Sequence, residues 1–263
     1  MEKLLKQPVK QVIRDYPALE KILAGFSIGC TNCSLGTCLL KDIVEIHNLT
    51  IEQEQLLMQR IADVVFPGRK VELPKIARKI TPASGNHKLS PPLRELVDEH
   101  TIIKKLLARI PELTASIDIS STACTARLNG AIDFIRIYAD GFHHAKEEKI
   151  LFGFFDPASD IIASFVTEHE TGRAHVRAVA DGIKTADLPA IRDHLAAYGA
   201  LLTEHIKKED EILYPWMDQT LTDSQIGQLY AKFAEVNETY SVEVKKQIGI
   251  IDNLERSANP GVQ

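Results

Sequence analysis

Residues 143–148 read His143-His144-Ala145-Lys146-Glu147-Glu148, and residues 205–210 read His205-Ile206-Lys207-Lys208-Glu209-Asp210. In both stretches a histidine is followed four residues later by a glutamate, within sequence of helical periodicity. Four residues are about one turn of an α-helix, so the two side chains lie on one face, roughly 6 Å apart, where they can bind the same metal ion. Two such pairs predict two metal ions.

Two further histidines stand alone in the apolar stripes of separate helical segments. His100 interrupts a stripe of leucine and isoleucine between residues 93 and 110, and His169 interrupts another between residues 162 and 183. A buried imidazole or ionised glutamate without a partner is costly, and metal ions satisfy several such groups together. The predicted ligands are therefore His100, His143, Glu147, His169, His205 and Glu209.

Composition limits the class of protein. With 263 residues, of which 44% are hydrophobic and 25% charged, the chain can bury a sizeable core. A net charge of -5 with interspersed signs argues against nucleic acid as a partner. Neither a run of about 18 apolar residues nor a signal-peptide core is found, so we expect no membrane association and a cytoplasmic location.

Helical periodicity dominates, which predicts an all-α fold. We expect a small helical cysteine-bearing domain at 1–66, a linker rich in proline and glycine at 67–89, and a second domain at 90–256. The second domain is predicted to be an antiparallel four-helix bundle with a C-terminal helical extension, followed by a disordered tail at 257–263. The packing face predicted for the extension consists of Ile226, Leu229, Tyr230, Phe233 and Val236.

Four short motifs follow one another between Ser90 and Trp216. They are Glu99-His100, then Phe142-His143-His144 with Glu147-Glu148, then Glu168-His169-Glu170 with Arg173, and finally His205 with Glu209-Asp210. This series resembles the hemerythrin-like, cation-binding four-helix bundles. The resemblance implies that His100, His143, His169 and His205 are terminal ligands and that Glu147 and Glu209 bridge two non-haem irons. It also implies an oxo or hydroxo bridge, with manganese or zinc as substitutes.

The residues near these ligands include one departure from the hemerythrin pattern and a set of predicted supporting residues. Oxygen-carrying hemerythrins have a second histidine four residues after the first on the third helix, where this chain has Arg173. Open coordination positions then favour reaction with a small molecule over oxygen carriage. A supporting shell around the ligands is predicted to contain His144, Glu148, Glu168, Tyr198 and Asp210. Three of these, His144, Glu148 and Asp210, lie about 100° around the helix from a ligand.

The segment that contains Cys30, Cys33 and Cys38 resembles the small cysteine-bearing domain that precedes some hemerythrin-like bundles. It is also similar to the di-iron proteins that repair iron-sulfur clusters. A Cys-x-x-Cys pair at the start of a helix has its thiolate stabilised by backbone N–H groups, which suits redox cycling or transient metal binding. Three reduced thiols in a small core are the alternative. Cys124 stands apart and is expected to be inert.

The ligand set favours a non-haem di-iron protein that binds or transforms O2, peroxide or nitric oxide. The resemblance implies a role in the response to oxidative or nitrosative stress, for instance in iron-sulfur cluster repair. The expected partners are the diatomic ligand or peroxide and an iron-sulfur protein or electron donor, with a homodimer left open. One alternative is a sensor of O2, nitric oxide or redox state that signals through the N-terminal domain. Another is an interaction bundle whose six polar core residues pair with each other.

Overall fold

The computed structural model describes residues 1–26, 28, 39–41, 43–47, 49–69, 71–73, 89–115 and 117–258. Over these ranges the chain is helical and forms no β-strand, which confirms the all-α fold class. The α-helices are α1 Glu2–Leu5, α2 Val9–Asp15, α3 Ala18–Ala24, α4 Ile43–Ile46, α5 Ile51–Val65, α6 Pro91–Leu107, α7 Ile110–Ala115, α8 Thr122–Phe134, α9 Asp160–Thr185, α10 Leu188–Lys208, α11 Tyr214–Thr220 and α12 Asp223–Ala258. None of them combines the length and the apolar composition needed to cross a bilayer.

The chain divides into two compact units, and the first contains residues 1–89, 158–164 and 211–221. Its core is formed by buried aliphatic side chains of α2, α3 and α5, including Val12, Leu19 and Leu57. Helix α5 begins with a capping box, in which the Thr50 hydroxyl accepts the Gln53 N–H and the Gln53 side chain accepts the Thr50 N–H. The predicted thiol site of Cys30, Cys33 and Cys38 lies outside the described residues, as does most of the predicted linker.

The second unit contains residues 90–157, 165–210 and 222–263 and holds the antiparallel four-helix bundle. Its helices are α6, α8 with its π-helical continuation, α9 and α10. Helix α6 begins with two prolines after Ser90, and α10 begins after Asp187, whose carboxylate accepts the Ala190 N–H. The apolar stripes of the four helices form one core, to which Ile103, Leu128 and Val179 contribute.

Helix α12 packs on α6, α8 and the π-helical segment that follows α8. Leu229 and Phe233 are fully buried, as their place in the predicted packing face requires. The prediction for Tyr230 is wrong, because 57% of that residue is exposed. One residue after Leu229 is about 100° around the helix, which turns the ring away from the core. The helix continues two residues into the predicted tail, and residues 259–263 lie outside the described ranges.

Three segments of the bundle are π-helical: Ile135–His144, Glu147–Leu151 and Glu209–Leu213. A π-helix places one more residue in each turn than an α-helix, so consecutive side chains are separated by a smaller angle, and such segments are frequent at functional sites. Gly141 fits this backbone because a Cβ atom there would meet the Arg136 carbonyl oxygen at only 3.1 Å. All three segments contain or adjoin predicted ligands.

Candidate metal centre

The bundle helices bring all six predicted ligands into one buried cluster. His100 comes from α6, His169 from α9 and His205 from α10, and the other three come from the π-helical segments. Each of the six is at most 2% exposed. His144, predicted as a supporting residue, joins them at 5% exposure.

The donor atoms of these seven side chains form groups that can hold metal ions. His100, His143 and Glu209 form one group of three, and His144, His169 and His205 form a second. Within each group the donor atoms all lie within 4.8 Å of one another. Glu147 belongs to a third group together with His169 and Glu209. The geometry therefore supports two neighbouring cation positions with carboxylates between them.

Glu209 connects the two groups. One of its oxygens, Oε2, lies 3.2 Å from Nε2 of His100, and the other, Oε1, lies 3.0 Å from Nε2 of His205. Within the described part of the chain, neither oxygen makes a hydrogen bond of normal geometry, and the same is true of the buried Nε2 of His143. Buried polar atoms in this state are costly unless another partner satisfies them. A metal ion between these atoms supplies that partner.

The pair His169 and His205 also requires a cation between its facing nitrogen atoms. Their Nε2 atoms face each other at 2.9 Å, while both Nδ1 atoms point to carboxylates. If each Nδ1 donates a hydrogen, both Nε2 atoms present lone pairs, and only a proton or a metal cation can separate them. In the metal-free protein a proton takes this role. Burial opposes the charge of His205, but Glu209 and Glu168 outweigh burial and raise its pKa to about 9.

Other groups in the cluster are in the protonation state that metal binding requires. Burial, followed by the neighbouring His100 and His144, lowers the pKa of His143 well below its usual value. Burial and the neighbouring His144 and His205 do the same for His169, so both imidazoles are neutral. Burial opposes ionisation of Glu209, yet His205 and His100 hold its pKa well below the usual range. Neutral imidazoles and an ionised carboxylate are the ligand forms that bind metals.

A layer of carboxylates orients the histidines from outside. Four of the five histidines donate from Nδ1 to a carboxylate oxygen: His100 to Asp210 at 2.7 Å, His143 to Glu99 at 2.8 Å, His169 to Glu148 at 2.6 Å, and His205 to Glu168 at 2.7 Å. The Nδ1 atom of the fifth, His144, faces Asp140 at 3.5 Å. Such contacts fix the tautomer and direct the Nε2 lone pair to the metal.

Basic side chains neutralise this carboxylate layer. Lys146 pairs with Glu99 and Lys208 with Glu168, while Lys104 lies 2.7 Å from Asp210. Arg173 lies 2.7 Å from both Glu148 and Asp140. Arg173 therefore orients the carboxylate that holds His169. Lys146 is itself fully buried and lies 3.9 Å above the Phe142 ring.

The same pattern occurs in both halves of the bundle. In each half a Glu-His pair on one helix is followed by His-x-x-Lys-Glu on the next. In the first half Glu99 contacts His143 and Lys146, and in the second half Glu168 contacts His205 and Lys208. Each ligand glutamate is followed by an acidic residue that contacts a histidine of the other half. Asp210 contacts His100 in this way, and Glu148 contacts His169. A basic residue follows each of these histidines by four positions and pairs with the same acidic residue: Lys104 with Asp210, and Arg173 with Glu148. The site thus has an approximate twofold pattern.

His144 and Asp140 break this pattern, because the second half has Ile206 and Leu202 at the equivalent positions. The sequence analysis placed His144 about 100° away from the ligand direction of His143. The π-helical backbone reduces that angle, and the His144 ring stacks on His169 with centroids 3.9 Å apart. The structure therefore places His144 among the central residues, while Glu148, Glu168 and Asp210 lie in the supporting layer.

Sequence reasoning did not assign roles to Glu99, Asp140, Lys146 or Lys208. A signal was present for three of them, since Glu99-His100 repeats as Glu168-His169 and the lysines occupy equivalent places in the two His-x-x-Lys-Glu stretches. For Asp140 no repeat exists. Tyr198 lines a cavity together with His144 and His205, and burial raises the pKa of its hydroxyl, so the hydroxyl remains protonated.

This geometry defines an all-α protein with a buried histidine and carboxylate site for cations. Residues 92–217 match the family model described as hemerythrin HHE cation binding domain. Similar proteins are an uncharacterized protein of Mycobacterium bovis and uncharacterized proteins of two Mycobacterium tuberculosis strains, each 23% identical over 164 residues. The alignments cover 59% of this chain and 62% of each relative. No solved structure is a significant match.

The match to the hemerythrin HHE cation-binding domain is therefore confined to residues 92–217, and this segment includes every residue of the two metal-holding groups. That finding confirms the resemblance inferred from the four motifs and establishes cation binding as the property of the family. The matched residues do not reach α12 or the first 91 residues.

Proposed function

We propose that this protein holds two iron ions between His100, His143, Glu209 and His144, His169, His205, with Glu147 and Glu209 shared, and that this centre binds or transforms O2, peroxide or nitric oxide. The observation that carries the proposal is the pair of buried three-residue groups joined by Glu209. A mixed nitrogen and oxygen donor set without thiolate suits iron or manganese, and zinc can substitute.

The chain's own residues supply the conditions for this chemistry. Iron, when bound, contributes the ability to coordinate small ligands and to exchange electrons with them. The carboxylate layer holds each imidazole in place, and the basic side chains outside it pair with those carboxylates. Apolar side chains of the bundle core exclude bulk water from the site. A role in stress response remains a prediction that rests on the family resemblance, and a role in iron-sulfur cluster repair rests in addition on the N-terminal cysteines.

The first test is metal content combined with stability. The full chain reconstituted with iron(II) without oxygen should bind two irons. At free iron 100-fold above the Kd of each site, binding should stabilise the fold by about 2.7 kcal/mol per site, or about 5.4 kcal/mol for two, because only the folded state binds. For a chain of this size the two irons together should raise the Tm by roughly 10–20 °C, measured by circular dichroism.

Magnesium is the control for this test, since it prefers oxygen ligands and retains its water. Thermal unfolding at the same temperature with iron, with magnesium and with chelator would contradict the proposal. It would instead support the interaction bundle whose polar core residues pair internally.

The role of His144 is tested by His144→Ala. If this residue is a ligand, iron content should fall from two to one, because the second group keeps only two of its three imidazoles. A residue that merely orients a ligand would leave two sites and weaken affinity by about 10–100-fold. The measurement is an iron titration followed by metal analysis.

His194→Ala is the matched control, because that histidine faces His175 at 2.9 Å and belongs to neither metal-holding group. Two irons bound with unchanged affinity in His144→Ala would show that the residue is no ligand.

A further inference from the structure

Helix α12 lies outside the segment that matches the HHE family model, yet a series of polar contacts connects it to the metal centre. Nδ2 of Asn237 on this helix donates a hydrogen bond to Oε1 of Glu95 on α6 at 2.8 Å. The same Glu95 oxygen accepts a hydrogen bond from Nζ of Lys146 at 2.6 Å. Lys146 also pairs with Glu99, which accepts the Nδ1 hydrogen of His143 at 2.8 Å. These contacts join α12 to a predicted metal ligand.

Helix α12 also encloses the charged group of Lys146. The Nζ atom lies 3.9 Å from the centroid of the Phe142 ring and 5.2 Å from that of Phe233, a fully buried residue of α12. Lys146 is itself fully buried. Carboxylates and aromatic faces must then stabilise the cation, because water does not reach it. Lys146 thus depends on α12 for one aromatic face and for the hydrogen bond that holds Glu95.

The amide of Asn237 is not explained by packing alone. Its Oδ1 atom is buried and makes no hydrogen bond to any residue that the structure describes. A buried acceptor in this state costs free energy, so an apolar side chain would dock the helix at a lower cost. What the amide contributes is its contact with Glu95.

The two halves of the bundle differ at the residue that α12 contacts. The first half carries Glu95 four residues before the glutamate of its Glu-His pair, and the second half carries Ser164 at the equivalent position. A serine has no charge to pair with a lysine. The ligand at the end of these contacts, His143, belongs to the group that also contains His100 and Glu209. The contact with Glu95 is therefore directed to one of the two cation positions.

We propose that α12 positions one of the two cation sites, the one formed by His100, His143 and Glu209. Asn237 is the positioning residue, and it acts through the contacts that lead to His143. The inference rests on the proposed metal centre. It adds that a helix beyond the family match sets the metal affinity of one position and leaves the other unchanged. The physical reason is that an imidazole ligand is oriented by the group that accepts its second N–H, and that group is held by its own partners.

The test is a titration of the metal-free full chain with cobalt(II), followed by the cobalt absorption bands. Asn237→Leu removes the hydrogen-bond donor, and the cavity of about 260 Å³ that Asn237 borders has room for the leucine side chain. One of the two cobalt affinities should fall by about 2- to 30-fold, the range in which residues of such networks act. The absorption bands of that cobalt ion should shift, because the orientation of its imidazole ligand changes.

Gln228→Leu is the matched control, since it removes an exposed amide from the same helix. It should leave both cobalt affinities and the absorption bands unchanged. Equal losses of affinity at both cobalt positions in Asn237→Leu would overturn the inference, because a helix that only supports the fold acts on both.

A double-mutant cycle tests whether the effect passes through Glu95. Asn237→Leu should weaken cobalt binding in the unaltered chain and should have no further effect in a Glu95→Ala chain, where the contact is already lost. Additive losses in the double variant would contradict the proposed route. Far-UV circular dichroism must show a folded chain in each variant.

Metal analysis of the same samples separates the two proposals. Fewer than two cobalt ions in the unaltered chain would contradict the metal centre itself. Two cobalt ions with the same affinities in Asn237→Leu and in the unaltered chain would overturn only the role of α12. Asn237 is partly buried and its replacement keeps Lys146 paired with both carboxylates, so this variant decides the question even if Glu95→Ala fails to fold.

Discussion

Replacing Glu209 with alanine is expected to remove both metal ions from the protein. Its two oxygens reach Nε2 of His100 at 3.2 Å and Nε2 of His205 at 3.0 Å, so one side chain serves both cation positions. Without it, two cations in the cluster would keep only the charge of Glu147 between them, and the repulsion between the cations would be compensated less well. Metal analysis after reconstitution measures the effect, and Glu209→Gln, which keeps the size of the side chain, should show the same loss.

Glu211→Gln is the control for this prediction, because Glu211 lies two residues further on and is exposed. It should retain the full metal content. Far-UV circular dichroism must show a folded chain in each variant. A folded Glu209→Ala protein that still binds two metal ions would rule out a shared Glu209.

Lys146→Met is expected to lower the free energy of unfolding by about 3–5 kcal/mol, the usual cost of breaking a buried ion pair from one side. Lys146 is fully buried, pairs with Glu99 and lies 2.6 Å from Glu95. Burial already raises the pKa of Glu99 to about 7, although Lys146 opposes that shift. Chemical denaturation of the metal-free protein measures the loss.

The loss of stability in Lys146→Met should increase with pH. Removing Lys146 raises the folded pKa of Glu99 further above its unfolded value, so the folded state binds more protons than the unfolded state. Stability is then lost as pH rises toward that raised pKa, so the deficit of Lys146→Met should grow as pH rises above about 7, the folded pKa of Glu99 in the unaltered chain.

Lys104→Met is the control, since its side chain is 51% exposed and its pair with Asp210 is worth at most about 1 kcal/mol. Equal losses in the two variants would contradict the importance of burial at Lys146.

The repeated pattern explains why so much polar chemistry is tolerated inside the bundle. The Nδ1 atom of each of the four predicted histidine ligands donates to one carboxylate of the outer layer, and Glu99, Glu168, Asp210 and Glu148 each contact a basic side chain. Because these contacts cross between neighbouring helices, the network also fixes the register of the helices. The Glu-His and His-x-x-Lys-Glu stretches thus specify both the site and the packing around it.

The role of the N-terminal cysteines is predicted from the sequence only. Cys30, Cys33 and Cys38 suggest thiol chemistry through their spacing, but the described residues do not include them. The predicted assistance of these thiols in iron-sulfur cluster repair, by metal delivery or electron transfer, therefore stays a prediction.

What the sequence determined by itself is the set of periodic features. Apolar spacing predicts the four helices, and the four-residue interval within each His-x-x-x-Glu pair places ligands on their inner faces, because both depend only on the geometry of an α-helix. The tertiary structure alone decided the place of His144 among the central residues and the ion pair of Asp140 with Arg173. These depend on a π-helical backbone and on contacts between residues far apart in the chain, and neither leaves a regular interval in the sequence.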